Sequence, residues 1–346
     1  MVSISTFAPS NLSKSKQAGL SLIELMIAVL LGLLLIAGVI NIFLGTQQTN
    51  RTQEALARVQ ETGRFAVEIL SRQAREAGMN GCPAGSVNNL LDPNGTGYDA
   101  ASMAGSEPFS FIDPDDLDGH VRGHVLTING ARRLDLNLEA SGNGSAGGGG
   151  QVVPPINLTS NNGIAKGTII TVVGADGYTC DLFQTGSAQN ANNLQRSTND
   201  NPGNLSVSQA RGVYSAFFGP IEVFEMASSS YYIRNNPAGI PSLYVRSRGD
   251  LNEVVEGVFD MRLEYGIDSN GNGRVNRYVN HESMTANQWE QAATIRIHLL
   301  AYSGEEGQIL ETAQTGLLFR DSLFNAPDNR LYQVFTTTVA VRNMVL

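Results

Sequence analysis

Hydrophobic and polar positions divide the chain into two parts with different periods. From Leu25 to Leu44 the sequence is almost wholly apolar and carries no charge. About twenty such residues at a rise of about 1.5 Å span roughly 30 Å, the thickness of a bilayer's hydrocarbon core. From about Thr46 to Ala77 the residues turn polar, but no Pro falls between Leu20 and Ala77, so the same helix is predicted to continue. Its apolar positions thin to Leu56, Val59, Gly63, Ala66 and Leu70. That 3-4 spacing predicts one buried face. Gly78, Asn80-Gly81 and Pro83 then stop the helix.

Beyond the helix the period changes to two. Phe259, Met261, Leu263, Tyr265 and Ile267 alternate with polar residues or Gly, and Ile295, Ile297, Leu299 and Ala301 do the same. Each run predicts a half-buried strand. Tyr332 to Val341 and Thr168 to Val173 are β-branched strand candidates; His124–Asn129, Ile221–Met226, Tyr231–Arg234 and Leu243–Arg246 are shorter ones. Cys82 to about Leu117 and Asn190 to Asn204 look like loops, and Ser141–Gly150 is a Gly-rich linker or exposed loop. Strands joined by short turns favour antiparallel sheet. The predicted class is α+β: a long N-terminal helix packed on a β-rich, antiparallel-sheet head.

One residue resists the apolar pattern. Glu24 precedes the uncharged run, five residues after Gly19, in Gly19-Leu20-Ser21-Leu22-Ile23-Glu24-Leu25. A carboxylate in hydrocarbon is costly unless paired, and marks a functional site by default. The basic leader, the Gly and the apolar run broken only by Glu resemble the class III signal of type IV pilins and type II secretion pseudopilins. The resemblance implies that a prepilin peptidase cuts between Gly19 and Leu20 and that the new amine on Leu20 is methylated. It also implies that Glu24 serves subunit packing and assembly. Leu20 stands where the family usually has Phe or Met. Asn41 stands near where many major pilins carry a helix-breaking Pro; Gly32, Gly38 and Gly45 each weaken the helix there by about 1 kcal/mol relative to Ala.

The organisation expected is therefore a leader at 1–19, a pilin helix at 20–77 with its transmembrane part at about 25–44, and a head at 78–346. The stretch Leu70 to Cys82, Tyr265-Gly266-Ile267-Asp268 and the ending Val334 to Asn343 resemble PilW-type minor pilins. This implies a low-abundance subunit at a pilus tip that helps start assembly. Its partners would be other minor pilins, the major pilin, the peptidase, the inner-membrane assembly platform and a tip adhesin. A GspJ-like pseudopilin of a type II secretion system shares the same chemistry and stays open, as does a membrane-anchored binding module.

Net charge is −9, a poor match to the phosphate backbone, so direct nucleic-acid binding is not expected. Lys14 and Lys16 precede the span, which places the leader in the cytoplasm and the head in the periplasm before assembly. Cys82 and Cys180 are the two cysteines, either one disulfide in that oxidising compartment or two buried thiols. Asp268, Asn270, Asn272 and Asn276 follow the oxygen spacing of a calcium loop, though Val279 stands at the twelfth position. The same Asn-Gly chemistry makes a hairpin turn between Phe259–Ile267 and Arg274–Val279. The four histidines, His120, His124, His281 and His298, are expected on the surface or at strand edges. No nucleophile elbow, P-loop or dinucleotide fingerprint occurs, and the sequence argues for no enzyme and no required cofactor.

Overall fold

A computed structural model gives the fold and describes residues 19, 21–82, 87–104, 107–144, 153–196, 200–206, 209, 214–304, 306–307 and 309–341. Lys14, Lys16, Leu20, Pro83, most of the Gly-rich stretch before Gly150 and the ending Arg342-Asn343 lie outside the described residues. Contacts divide the chain into two compact units, Met1–Gln53 and Glu54–Leu346.

Helix α1 (Leu22–Arg75) is continuous. In the first unit its apolar positions bury nothing: every large apolar residue from Leu22 to Leu44 is more than half exposed. In the second unit α1 buries Ala55, Val59, Gly63, Ala66, Leu70, Ser71 and Ala74. The predicted stripe is corrected at its first position, where Leu56 is exposed and Ala55 buried. Small residues let the sheet come close to this face. A Cβ on Gly63 would fall where the Phe335 ring lies. The turn that follows Arg75 closes at Gly78, whose φ of 72° few other residues adopt, and whose N–H donates to the Asn129 carbonyl at 2.8 Å.

The head's strands begin with the short β1 (Asn88–Asn89) and β2 (Phe109–Ser110). Then come β3 (His120–Arg133), β4 (Leu138–Asn143), β5 (Ile156–Leu158), β6 (Ile169–Gly174), β7 (Cys180–Gln184) and β8 (Asn193–Leu194). After β9 (Phe218–Asn235), β10 (Pro241–Ser247) and β11 (Asp250–Glu256) come β12 (Val258–Ile267), β13 (Arg277–Asn280) and β14 (Ala292–Ser303). The small hairpin β15 (Leu317–Phe319) and β16 (Ser322–Phe324) precedes β17 (Leu331–Ala340). Strands β1 to β11 form one large sheet, and a second sheet has the order β13-β12-β14-β17. Pairing is antiparallel except between β1 and β7, which is parallel.

Strand β9 organises the large sheet. Its first half pairs with β4 and β6, and its second half with β3 and β10. The sequence predicts two strands here, because Ser228-Ser229-Ser230 interrupts the apolar alternation. One strand forms because each hydroxyl finds a partner on a neighbour. Ser228 Oγ donates to Asn129 Oδ1 at 2.8 Å, Ser229 Oγ to Ser247 Oγ at 3.1 Å, and Ser230 Oγ lies 3.0 Å from Thr127 Oγ1. A buried hydroxyl without such a bond costs about 1–3 kcal/mol, so these pairs decide whether the strand continues. The predicted strand at His124–Asn129 is likewise longer, and Ser141 to Asn143, expected in a loop, end β4.

The main core lies where the buried half of α1 meets both sheets. Ala66, Leu70 and Ala74 join Leu126, Tyr231, Met261, Leu263, Ile297 and Val339 in one cluster. Each large aliphatic side chain buried this way contributes about 1.5–3 kcal/mol.

Candidate functional site

The N-terminus of α1 explains part of what Glu24 does. Ser21 precedes the helix and Glu24 is its third residue, so Ser21-Leu22-Ile23-Glu24 is a capping-box sequence. Glu24 Oε2 accepts a hydrogen bond from the Ser21 N–H at 3.2 Å. A carboxylate there satisfies an orphan donor and faces the positive end of the helix dipole. Gly19 is exposed, while Leu20 is outside the described residues. Sequence reasoning missed the cap, although S-x-x-E was legible. The helix it starts is long and apolar enough to cross a membrane, and its most apolar window buries nothing inside the chain.

Cys82 and Cys180 are bonded, with Cα atoms 5.9 Å apart. Cys82 follows the end of α1 and Cys180 opens β7, so the bond fastens the chain after the helix to the large sheet. Cys180, Leu182 and Phe224 form a small apolar cluster around it.

The loop between β12 and β13 turns its polar side chains on itself. Asp268 accepts from the N–H of Asn272 at 3.2 Å and of Gly273 at 2.7 Å. Asn270 Oδ1 accepts from the Asn272 N–H, and Asn272 Oδ1 from the Arg274 N–H. Asn276 Oδ1 accepts from the N–H and Oγ–H of Ser269. Desolvation pushes the Asp268 pKa up, but the backbone N–H bonds outweigh it and hold the carboxyl below its ordinary value. All four oxygen-bearing side chains are thus engaged in closing the hairpin. Its second strand begins at Arg277 rather than at Arg274. Among the described residues no three His, Cys, Asp or Glu side chains are grouped to hold a metal ion.

The histidines depart furthest from expectation. His124, His281 and His298 are buried. Strand β13 pairs with β12 only from Glu264 onward, and His124 of β3 fills the gap beside it. The Leu263 N–H donates to His124 Nδ1 at 2.9 Å, so the imidazole replaces a strand partner and its proton sits on Nε2. That nitrogen lies 2.6 Å from Glu282 Oε1, and the ring stacks on His281 with centroids 4.9 Å apart. Gly123 makes this approach possible: a Cβ there would meet the Asp260 carboxylate and the Met261 backbone. Burial lowers the His124 pKa to about 4. Burial, then the neighbouring His124, lowers that of His281 to about 4. On the outer face of the second sheet, Glu264 accepts from Arg296 at 3.2 Å and lies 3.1 Å from His298 Nε2. These groups fasten strands to one another. They present no nucleophile beside a base and no oxyanion donors around a cavity.

Comparisons with known proteins meet this geometry at both ends of the chain. A profile described as type IV pilus-assembly protein W (PilW) matches residues 230–343. That segment holds the end of β9 and every strand from β10 to β17. A profile described as the prokaryotic N-terminal methylation motif matches residues 14–40. Among solved structures, a type IV-like pilin, TTHA1219 from Thermus thermophilus, aligns over 35% of this chain and 67% of its own, at 17% identity and a TM-score of 0.22. No curated protein matches the chain. The PilW description is that of an assembly protein, not of an enzyme.

Proposed function

We propose that this PilW-like, type IV pilin-like chain is a minor pilin that helps start and cap a type IV pilus. The observation that carries the proposal is the exposed apolar run of α1 behind Gly19 and Glu24. A helical stretch such as Leu22 to Leu44, whose large apolar side chains are all more than half exposed, needs either lipid or other helices around it. A membrane-held precursor that later enters a helical bundle uses both in turn. Before assembly the helix holds the protein in the inner membrane, with the leader in the cytoplasm and the head in the periplasm.

The prepilin peptidase removes residues 1 to 19, leaving a methylated amine on Leu20. At the assembly platform the apolar helix exchanges lipid for the helices of the major pilin and other minor pilins. Glu24, already aimed at its own helix start through Ser21, neutralises the amine of an adjacent subunit. That pairing fixes the axial register, because an unpaired carboxylate among apolar helices costs several kcal/mol. The head stays at the tip, where a tip adhesin can join it.

The test is a Gly19→Ala variant expressed in the native cell. It is expected to keep its leader on a gel and to be missing from sheared filaments, and processing to the mature size would overturn the cleavage assignment. Glu24→Val is expected to be processed but not assembled. Normal piliation with that variant as the sole copy would remove Glu24 from the mechanism.

A further inference from the structure

The head has open sheet edges of opposite character. Strand β11 ends its side of the large sheet and carries Asp250, Glu253 and Glu256, charges of the kind that keep an edge from pairing. Strand β17 ends the second sheet and runs from Leu331 to Ala340 with no charge, no Pro and no Gly. It has the composition of an interior strand in the position of an edge.

Register shows which backbone groups are unused. The Val341 N–H donates to the Ala293 carbonyl at 2.9 Å, and the pairs Val339↔Ile295, Thr337↔Ile297 and Phe335↔Leu299 continue that phase. Odd-numbered residues therefore bond to β14. Even-numbered ones turn their N–H and C=O away from it. At Tyr332 the outward N–H is taken by Gln314 Oε1 at 2.6 Å. Beyond it, no backbone hydrogen bond among the described residues reaches the outward groups of Val334, Thr336, Thr338 or Ala340. Thr336, Thr338 and Ala340 are exposed.

At its Ala340 end this edge opens onto a cleft of about 890 Å³ lined by Arg72, Arg75, Arg132 and Arg133, with Glu76 as the acid among them. Arg132 pairs with Glu225 at 3.2 Å and Arg133 with Glu222 at 2.7 Å. Neither Arg72 nor Arg75 joins an ion pair among the described residues. On a chain of net charge −9, this is a local positive site at the end of an open strand.

We propose that the β17 edge is a docking site for an extended strand of another protein, whose end beside Ala340 is acidic and enters the arginine-lined cleft. Main-chain bonds to the outward groups of residues 334 to 340 supply affinity, and the charge at one end sets direction and choice of partner. Antiparallel addition brings the N-terminal side of the incoming strand to Ala340. The site rests on the head alone. In the pilin reading its occupant is a neighbouring tip subunit, but the test needs no filament.

The full chain in detergent is mixed with an acetylated probe peptide of alternating Thr and Val, headed by three aspartates, or with its twin headed by three lysines. Hydrogen exchange is expected to slow at Val334, Thr336, Thr338 and Ala340 with the aspartate probe. The lysine twin is expected to bind at least about tenfold more weakly. Thr338→Pro removes an outward N–H while sparing every bond to β14, and is expected to abolish binding with the melting temperature unchanged. Arg75→Glu, on an exposed helix position, is expected to erase the preference for the acidic probe. Equal protection by both probes, binding that survives Thr338→Pro, or protection confined to β11 would overturn the proposal. So would protection of β17 that appears without peptide as protein concentration rises, which would make a second copy the occupant.

Discussion

The two halves of α1 share one backbone ladder and face opposite surroundings. Leu34, in the apolar half, is 63% exposed, whereas Leu70, in the mixed half, is fully buried. Hydrophobic residues thus lie outside where they are dense and inside where they are sparse. The reason is the shape of the pattern rather than its strength. Between Leu25 and Leu44 apolar side chains circle the whole helix, and no single face of a head can bury them all; only lipid or a surrounding bundle can. Between Glu54 and Arg75 they form a narrow stripe of small residues, which a sheet covers completely. The same helix therefore stabilises the head with one half and leaves the apolar surface of the other uncovered.

The disulfide fastens the segment that leaves the buried half, and it closes a loop of 98 residues. Replacing Cys82 and Cys180 together by Ser is expected to lower head stability by about 4–5 kcal/mol in the chain-entropy account, read from urea unfolding. Leu70→Ala is expected to cost about 2–5 kcal/mol in the same assay, because it leaves a cavity where helix and sheets meet.

Acid loosens the head through His124 and His281, whose folded pKa values of about 4 lie below the ordinary imidazole value of about 6.5. The unfolded chain binds these protons first, so stability is full above about pH 6.5 and falls as pH drops toward 4. The loss is expected to be on the order of 3 kcal/mol for each of the two histidines once both are protonated. A urea midpoint that stays level between pH 7 and pH 4.5 would remove the buried-histidine account, and His281→Phe is expected to flatten the fall. Leu34→Ala is expected to change head stability by less than about 0.5 kcal/mol, since its side chain is already exposed in the folded chain. A drop as large as that of Leu70→Ala would erase the distinction between the two halves.

The candidate N-terminal site was legible because its signals are local. Gly19, Glu24 and the uncharged run are neighbours in sequence, and the Ser21-to-Glu24 cap spans three residues. The long strands of the second sheet were legible for the same reason, since alternation on β12, β14 and β17 needs no knowledge of a partner. Legibility failed where a polar residue depends on something distant. Ser228 and Ser230 look like strand breakers until Asn129 and Thr127, 99 and 103 positions away, supply their bonds. His124 looks like a surface histidine until Leu263, 139 positions on, donates its N–H to it. Leu56 looks like the start of the buried stripe, yet Ala55 takes the place, four positions before Val59 and eight before Gly63 on the same helical row.

By itself the sequence determined the helix, the change of surroundings along it, the carboxylate at its start and the β character of the head. Periodicity and capping are properties of neighbouring residues, and a chain carries them before it folds. The tertiary structure alone decided which serines continue a strand, which imidazole completes a sheet and which edge stays open. Those outcomes depend on partners brought together from positions about a hundred residues apart, and on the space left once they have met.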